Sequence, residues 1–383
     1  MGILENKKVD NVRTIKLLGL PVYRVEKEKR HKTQMFLGGL IKADKSFSDG
    51  CVAKEITVFG IPVKRYVQTG NHIQYYLGDY KFFGVNLCEK FSKKHRKLFK
   101  KYDDIYILHA NIGESVIFLR LAKAYFNKNG SKKPLIVGLQ KYHRDLVKLF
   151  LPDIDVVVIE RPKLSMYMEI GEYEGHSIRL MFPKWHYDEV EDALRAENAP
   201  VKHFVDQILN RMELDKSDLS NCDIKAADEV KNSLMKKISK INLNMDNFVI
   251  FCPEANTCDD LGEDFWRKLK NRYESMGYDV YFNVTKEADR YKDCKHSNLT
   301  VGEVYALSEL SKKIIGLRSG LMDLLVYTGK PMDVIYTKAR ERDSFNPLTS
   351  GEILTGFTME NYPNVREFDA DVIGNEELLE AVG

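Results

Sequence analysis

Apolar and polar positions along this chain follow two different rhythms, and the change falls near residue 104. Before it, β-branched and aromatic residues alternate with polar ones and are broken by Gly and Pro, the pattern of successive β-hairpins. Residues 15–40 (IKLLGLPVYRVEKEKRHKTQMFLGGL) and 56–78 (ITVFGIPVKRYVQTGNHIQYYLG) repeat one motif: an apolar run, Gly-Leu/Ile-Pro-Val, a basic-aromatic stretch and a Leu-Gly close. YKFFGVNLCEK at 80–90 is a shorter echo. The repeat is too short for a solenoid, and a few hairpins bury little by themselves, so they are expected to pack on something else.

After residue 104, short apolar runs of strand length alternate with helical periodicity. DIYILHA (104–110), PLIVGLQ (134–140) and IDVVVIE (154–160) read as strands, with HSIRLMF (176–182) as a further one. ESVIFLRLAKAYF (114–126) and YHRDLVKLFL (142–151) read as helices. Residues 185–243 read as largely helical and polar, with no strand. From 247 a second strand-helix series follows: NFVIFCPE, YDVYFNVT, KIIGLR and PMDVIYT as strands, separated by helices. Strands separated by helices imply right-handed βαβ units and parallel sheets. The expected organisation is a hairpin-repeat module with a basic connecting segment (1–100), a first Rossmann-like domain (101–184), a helical bridge (185–245), a second Rossmann-like domain (246–360) and a C-terminal tail (361–383). Two such α/β halves imply a cleft, with ligands at the carboxyl ends of strands.

Composition narrows the class. Apolar residues at 44% and charged residues at 30% describe a soluble protein. A net charge of +3 is too small for a dedicated nucleic-acid binder. No apolar run reaches transmembrane length, and the start, MGILENKKVDNVRT, lacks the apolar core and cleavage site of a secretory signal. Six scattered cysteines form no CxxC pair and read as reduced thiols. Residues 89–102 (EKFSKKHRKLFKKY) carry seven Lys or Arg, with Phe91, Leu98 and Phe99 roughly on one helical face. A solvated connecting helix and attachment to anionic lipid headgroups both fit this stretch.

The sharpest candidate for chemistry is 313–337, a strand, a Ser-Gly turn and a helix in immediate succession. Ser319 is placed to cap the helix, and Gly320 to let a phosphate near the backbone. The N–H groups of Leu321, Met322 and Asp323 would face that anion, with Arg318 adding a fork suited to phosphate oxygens. A plain strand-turn-helix joint fits the same residues.

The order of elements from 247 to 337 resembles the C-terminal half of bacterial heptosyltransferases, which add heptose to lipopolysaccharide. FCPEANT (251–257) stands at that family's His-Pro-Gly-like turn, EDFWRKLKNRYESMG at its helix with an early Trp, and YFNVTKEADR at the strand leading to a nucleoside-contacting acid, here Glu287. The family's Asp-Ser/Thr-Gly-Leu/Met-x-His motif reads here Arg318-Ser319-Gly320-Leu321-Met322-Asp323. ILHANIGESVIFLRLAKAY matches the family's N-terminal strand, turn and helix, and places Glu114 where the family has its acceptor-activating Asp. The resemblance covers roughly 105–337 with a gap at the bridge. The family's Asp is replaced by Arg318 and its His by Asp323, and its phosphate-contacting Lys has no counterpart in TCDDLGEDFW; Arg318 is expected to supply that charge.

The resemblance implies an α/β, GT-B architecture: two Rossmann-like parallel-sheet domains facing across a cleft, preceded here by the β-hairpin repeat module. It implies a glycosyltransferase of surface polysaccharide, capsule or lipooligosaccharide synthesis, working without a bound metal and with a nucleotide-sugar donor as co-substrate rather than a cofactor. Glu114 is the candidate base and His109 its backup, although Glu in a first helical turn is also favoured by the helix dipole alone. Asn111 and Gly113 fall on the acceptor side. The donor side comprises Arg318 to Asp323, Glu287, and the turn residues Glu254, Asn256 and Thr257, which are also ordinary turn formers. Expected partners are the nucleotide sugar, a glycan or glycolipid acceptor and, through 89–102, an anionic membrane surface; nucleic acid is not expected. The expected location is cytoplasmic, including the inner face of the membrane. A polysaccharide pyruvyl transferase and a non-catalytic sugar-binding scaffold are the alternatives.

Overall fold

A computed structural model describes residues 4–9, 12–17, 20–28, 31–48, 51–59, 61–69, 72–77, 80–159, 171–173, 176–180, 204–219, 224–256, 258–285, 288–340, 349–359 and 361–383. The chain divides into two compact units, one of residues 1–105 with 161–180, the other of 106–160 with 181–383.

In the first unit the hairpin pattern resolves into a nine-stranded antiparallel meander in strict chain order: β1 (Leu4–Val9), β2 (Val12–Leu17), β3 (Leu20–Glu28), β4 (His31–Phe36), β5 (Ile41–Ser48), β6 (Cys51–Val58), β7 (Ile61–Thr69), β8 (His72–Leu77) and β9 (Tyr80–Asn86). The sequence repeat is a structural one. Pro21 faces Lys16 across the β2–β3 hairpin and Pro62 faces Thr57 across β6–β7, and in both the register slips by one residue just beyond, between Ile15 and Lys16 and between Ile56 and Thr57. The β8–β9 hairpin repeats the slip between Tyr75 and Tyr76. Such bulges bend and twist the strand that carries them. Val25 and Thr33 are the only buried side chains described in these strands. The sheet is therefore held by its ladder and by cross-strand pairs. Tyr66 meets Tyr75 at 6.1 Å between ring centroids, Gln34 donates to the Tyr23 hydroxyl at 2.8 Å, and the Thr33 hydroxyl donates to Asp44 at 2.6 Å. The basic segment forms helix α1 (Leu87–Phe99). Its Phe99 is buried and Leu98 half-buried, while Lys93, Lys94, Arg96 and Lys97 are exposed. A short hairpin, β13 (Gly171–Tyr173) with β14 (His176–Leu180), completes this unit.

The second unit is α/β. Strands β12 (Asp155–Val158), β11 (Pro134–Gly138) and β10 (Asp104–Leu108) lie in that order, with β11 and β12 parallel, linked through α2 (Ile112–Lys128) and α3 (Lys141–Phe150). A further sheet, all parallel, runs β16 (Asp279–Phe282), β15 (Phe248–Cys252), β17 (Lys313–Leu317), β18 (Met332–Tyr336), β19 (Val365–Asp369). β10 and β15 are buried along their whole length, as parallel strands covered on both faces must be. α2 is buried nearly all round, including Val116, Phe118, Leu119 and Leu121, each worth about 1.5–3 kcal/mol of apolar burial. The stretch between the two strand series supplies α4 (Phe204–Met212) and α5 (Asp228–Ile238), with residues 181–203 outside the described set. After β15, α6 (Glu263–Ser275) buries Trp266 completely, its ring 5.8 Å from that of Phe251. The segment expected as a tail is instead integral. It supplies β19 and a closing helix (Asn375–Val382), whose Leu378 and Val382 are fully buried and whose Val382 carbonyl accepts from the Tyr273 hydroxyl at 2.7 Å. No helix among the described residues is long and apolar enough to cross a membrane.

Candidate active site

Two helix N-termini of the second unit meet. α2 starts at the carboxyl end of β10, and α8 (Gly320–Leu325) starts at the carboxyl end of β17; α7 (Val301–Ser308) precedes β17. Gly113 and Gly320 are the point of contact. A Cβ on Gly320 would lie 2.4 Å from the Gly113 nitrogen, and one on Gly113 would lie 2.5 Å from Oδ2 of Asp323. Only glycine allows this approach. The space the sequence assigned to a phosphate beside Gly320 is thus taken by the backbone of Gly113.

Arg318 leaves β17 and is buried. Its Nη1 donates to Asp323 Oδ2 at 2.9 Å and to the Ser319 carbonyl at 2.8 Å, Nη2 to Asp323 Oδ1 at 2.8 Å, and Nε to the Phe357 carbonyl at 3.1 Å. Burial opposes its charge, but the Asp323 carboxylate outweighs this and the net shift of its pKa is upward. Arg318 and Asp323 therefore form a bidentate internal pair; the guanidinium is not the open phosphate fork the sequence suggested. Ser319 occupies the N-cap position without a side-chain cap bond, and its Oγ is buried with no partner. Leu321 is half-buried and Met322 buried.

Glu114 is the third residue of α2, half-buried beside this pair. Burial, and then the neighbouring Asp323 carboxylate, raise its pKa above the ordinary 4.5, against its own backbone N–H, a hydrogen bond from Asn111 and the charge of Arg318. Asn111, at the N-cap, thus bonds a carboxylate in the position a capping box uses. The turn before it is pinned. The Ala110 carbonyl accepts from His143 Nε2 at 2.9 Å, from the Tyr142 hydroxyl at 3.2 Å and from Ser115 Oγ at 3.2 Å. His143 Nδ1 accepts the N–H groups of Leu139 and Gln140 at 3.0 and 3.1 Å, which fixes its tautomer with the proton on Nε2. Its pKa is pushed down to about 4, chiefly by burial. Burial also lowers that of His109, so both imidazoles are neutral at pH 7. Burial, with help from Glu114, lifts Tyr142 to about 12.

Of the donor residues expected from the sequence, Glu254 and Asn256 follow the carboxyl end of β15 and Arg318 that of β17. Glu254 accepts from the Thr285 N–H at 2.9 Å and from its hydroxyl at 2.7 Å, joining the turns after β15 and β16. Asn256 is exposed, and Thr257 and Glu287 lie outside the described residues. Sequence reasoning gave no role to His143 or to Lys338. Lys338, just past β18, is 62% exposed and only loosely paired with Asp259 at 3.8 Å. The sole sequence signal for it was a cation immediately following a strand's carboxyl end. Among the described residues, no three His, Cys, Asp or Glu side chains group as a metal site.

No protein-family model matches this chain, and no curated protein does. Among solved structures the chain is similar to the ADP-heptose lipopolysaccharide heptosyltransferase II of E. coli, at 13% identity over 73% of this chain and 97% of that one, with a TM-score of 0.50. A glycosyl transferase family 9 protein from Veillonella parvula also aligns, at 13% identity over 73% of this chain and 89% of that one, TM-score 0.47. So does the iron-containing dodecameric glycosyltransferase TibC of enterotoxigenic E. coli, at 13% identity over 85% of this chain and 77% of that one, TM-score 0.39. At such identity the first likeness establishes the fold alone, GT-B.

Proposed function

We propose that this chain is a glycosyltransferase, moving a sugar from a nucleotide-sugar donor to a glycan or glycolipid acceptor of the bacterial surface without a protein-held metal. The observation that carries the reading is Glu114: a half-buried carboxyl with a raised pKa, opening a helix at a strand's carboxyl end, against the helix start that follows β17. A carboxylate whose pKa is lifted toward the working pH is a better base for a hydroxyl than an exposed one. His109, neutral and nearby in sequence, is the reserve base. Asn111 holds Glu114 in place, and Gly113 brings it to the second helix. The donor's diphosphate is assigned to the carboxyl edge of the β15–β18 sheet, along the turns at Glu254, Asn256 and Thr257, with Glu287 toward the nucleoside. Lys338, exposed just past β18, is assigned as the positive charge there. The Arg318–Asp323 pair contributes a fixed dipole rather than a free cation. Charge built up on the leaving nucleotide is stabilised best by such preplaced groups.

A thermal-shift panel of UDP, GDP, ADP and CMP sugars tests the reading and identifies the donor. One donor class should raise the melting temperature of the wild type, and less so that of Lys338→Ala. Stabilisation by none of them contradicts it. One observation favours the non-catalytic scaffold instead: the Gly113–Gly320 contact leaves no room for a ligand at that point. Release of the leaving nucleotide (UDP, GDP or ADP, or CMP from a CMP sugar) from any nucleotide sugar decides between the two.

A further inference from the structure

In an antiparallel meander, alternate connections fall at the same end of the sheet. Those joining β2 to β3, β4 to β5, β6 to β7 and β8 to β9 share one end, and successive connections stand about 10 Å apart, two strand spacings. Most of the large apolar side chains left exposed among the described residues of the whole chain gather there. Leu20 is 70% exposed, Phe59 73% and Ile61 65%, with Leu37, Leu40 and Phe36 beside them. Two of these residues also take a backbone conformation that their side chains disfavour. Leu37 has φ 50° and Phe59 φ 53°, the left-handed region that turns normally fill with Gly, Asn or Asp. Leu and Phe at those positions cost backbone energy and cover no core, so the folded unit gains nothing from their being apolar.

Behind these tips the charge is sorted. From the tips inward, the described residues of β2 to β7 carry only basic charge, namely Lys16, Arg13, Arg24, Lys42 and Lys64, until the register row that aligns Glu26, Thr33, Asp44 and Glu55. Lys16 and Lys64 are exposed. At the flank, β1 sets Glu5 beside Lys16, and Asp79 of the fourth connection lies outside the described residues. Arg24 pairs with Glu26, and Lys42 with Asp44 at 2.9 Å. We infer that this end of the meander docks on an anionic lipid bilayer, Leu20, Leu37, Leu40, Phe59 and Ile61 entering the headgroup boundary while the exposed Lys16 and Lys64 behind them meet lipid phosphates. Apolar tips set in front of a basic band match that interface in both polarity and charge. A second protein fits less well, because lysine is depleted from protein–protein interfaces and separate protruding tips do not form a flat apolar patch. The surface is distinct from α1, which leaves the sheet from the other end of β9, and it goes beyond the transfer reaction, standing or falling independently of it.

The test is sedimentation of the full chain with sucrose-loaded vesicles of phosphatidylcholine containing 30% phosphatidylglycerol (about a third anionic lipid), at low salt. The wild type should sediment with them, and much less with phosphatidylcholine alone. The triple change Leu20→Ser, Phe59→Ser, Ile61→Ser should lower the partition at least about tenfold, with circular dichroism unchanged because all three side chains are exposed. Neutralising α1 through Lys93→Gln, Lys94→Gln and Lys97→Gln should lower it less than about threefold. Phe59→Trp should show a blue-shifted emission on adding vesicles. The inference is overturned if the wild type does not sediment, or if the triple variant binds as the wild type does. It is equally overturned if light scattering shows a wild-type dimer that the triple variant abolishes, which would assign the tips to a second copy of this chain.

Discussion

Replacing Asp323 by alanine isolates the pair at the centre of the second unit. The Arg318 side chain is 10% exposed and that of Asp323 20%. Removing the carboxylate leaves the guanidinium buried with, among the described residues, the Ser319 and Phe357 carbonyls as acceptors, at 2.8 and 3.1 Å. Breaking a buried pair from one side costs about 3–5 kcal/mol. The partial exposure of Asp323 places this case near the lower end, about 3 kcal/mol. For a unit of this size that corresponds to a fall of roughly 6–12 °C in melting temperature. Tryptophan fluorescence follows the transition, since Trp266 is fully buried in the same unit. The double change Arg318→Met with Asp323→Leu removes both charges and should cost less than Asp323→Ala alone, because no buried charge is left without its partner. A fall below about 2 °C for Asp323→Ala, or a double variant less stable than the single, would refute the buried-pair reasoning and return Arg318 to the solvent as an open anion ligand.

Gly320→Ala should destabilise by about 2–3 kcal/mol, because its new Cβ meets backbone at 2.4 Å and cannot be relieved by a rotamer change. Gly113→Ala should cost less, since its closest neighbour is the movable Asp323 carboxylate; denaturant titration ranks the two. The pH dependence follows from His143. Its folded pKa of about 4 lies below the unfolded 6.5, so the unfolded chain takes up the proton first. Stability is fully present above pH 6.5, falls as pH drops from 6.5 toward 4, and loses up to about 3 kcal/mol across that window. Urea titrations at pH 7.5 and 4.5 should show that difference in the wild type and a smaller one in His143→Gln.

The second unit was legible because strand-length apolar runs and helical periodicity survive burial intact: DIYIL, FVIFC and MDVIY are strands as read. The meander was legible in kind but not in extent. Its repeat marks hairpins, while nothing local says that nine strands would form a single sheet with Val25 as its one buried apolar residue among those described. β19 was missed because VREFD carries three charges in five residues, at Arg366, Glu367 and Asp369, and its membership is set by neighbours: Arg366 pairs with Asp333 of β18 at 2.7 and 2.8 Å, a contact across 33 residues of sequence. At the site, the sequence placed the turn at 111–114 on the acceptor side and the turn at 318–323 on the donor side of a cleft. It could not say that they touch, and so it read Gly320 as room for a phosphate when the room belongs to Gly113. The partner of Arg318 was five residues away in the same motif, but a carboxylate in a first helical turn has a sufficient local explanation in the dipole. His143 was invisible for the opposite reason: its role is to hold the Ala110 carbonyl, a contact that no spacing encodes.

The most direct measurement of the central claim is sugar transfer by Glu114→Gln. With the donor identified by thermal shift, a glycan or glycolipid acceptor and EDTA present, the wild type should release the leaving nucleotide of that donor steadily. Glu114→Gln keeps the shape of the side chain and removes the base, so its rate should fall by about a hundredfold or more, while calorimetry finds nucleotide affinity unchanged. Transfer by Glu114→Gln at the wild-type rate, or no turnover of any nucleotide sugar by the wild type, would contradict the account.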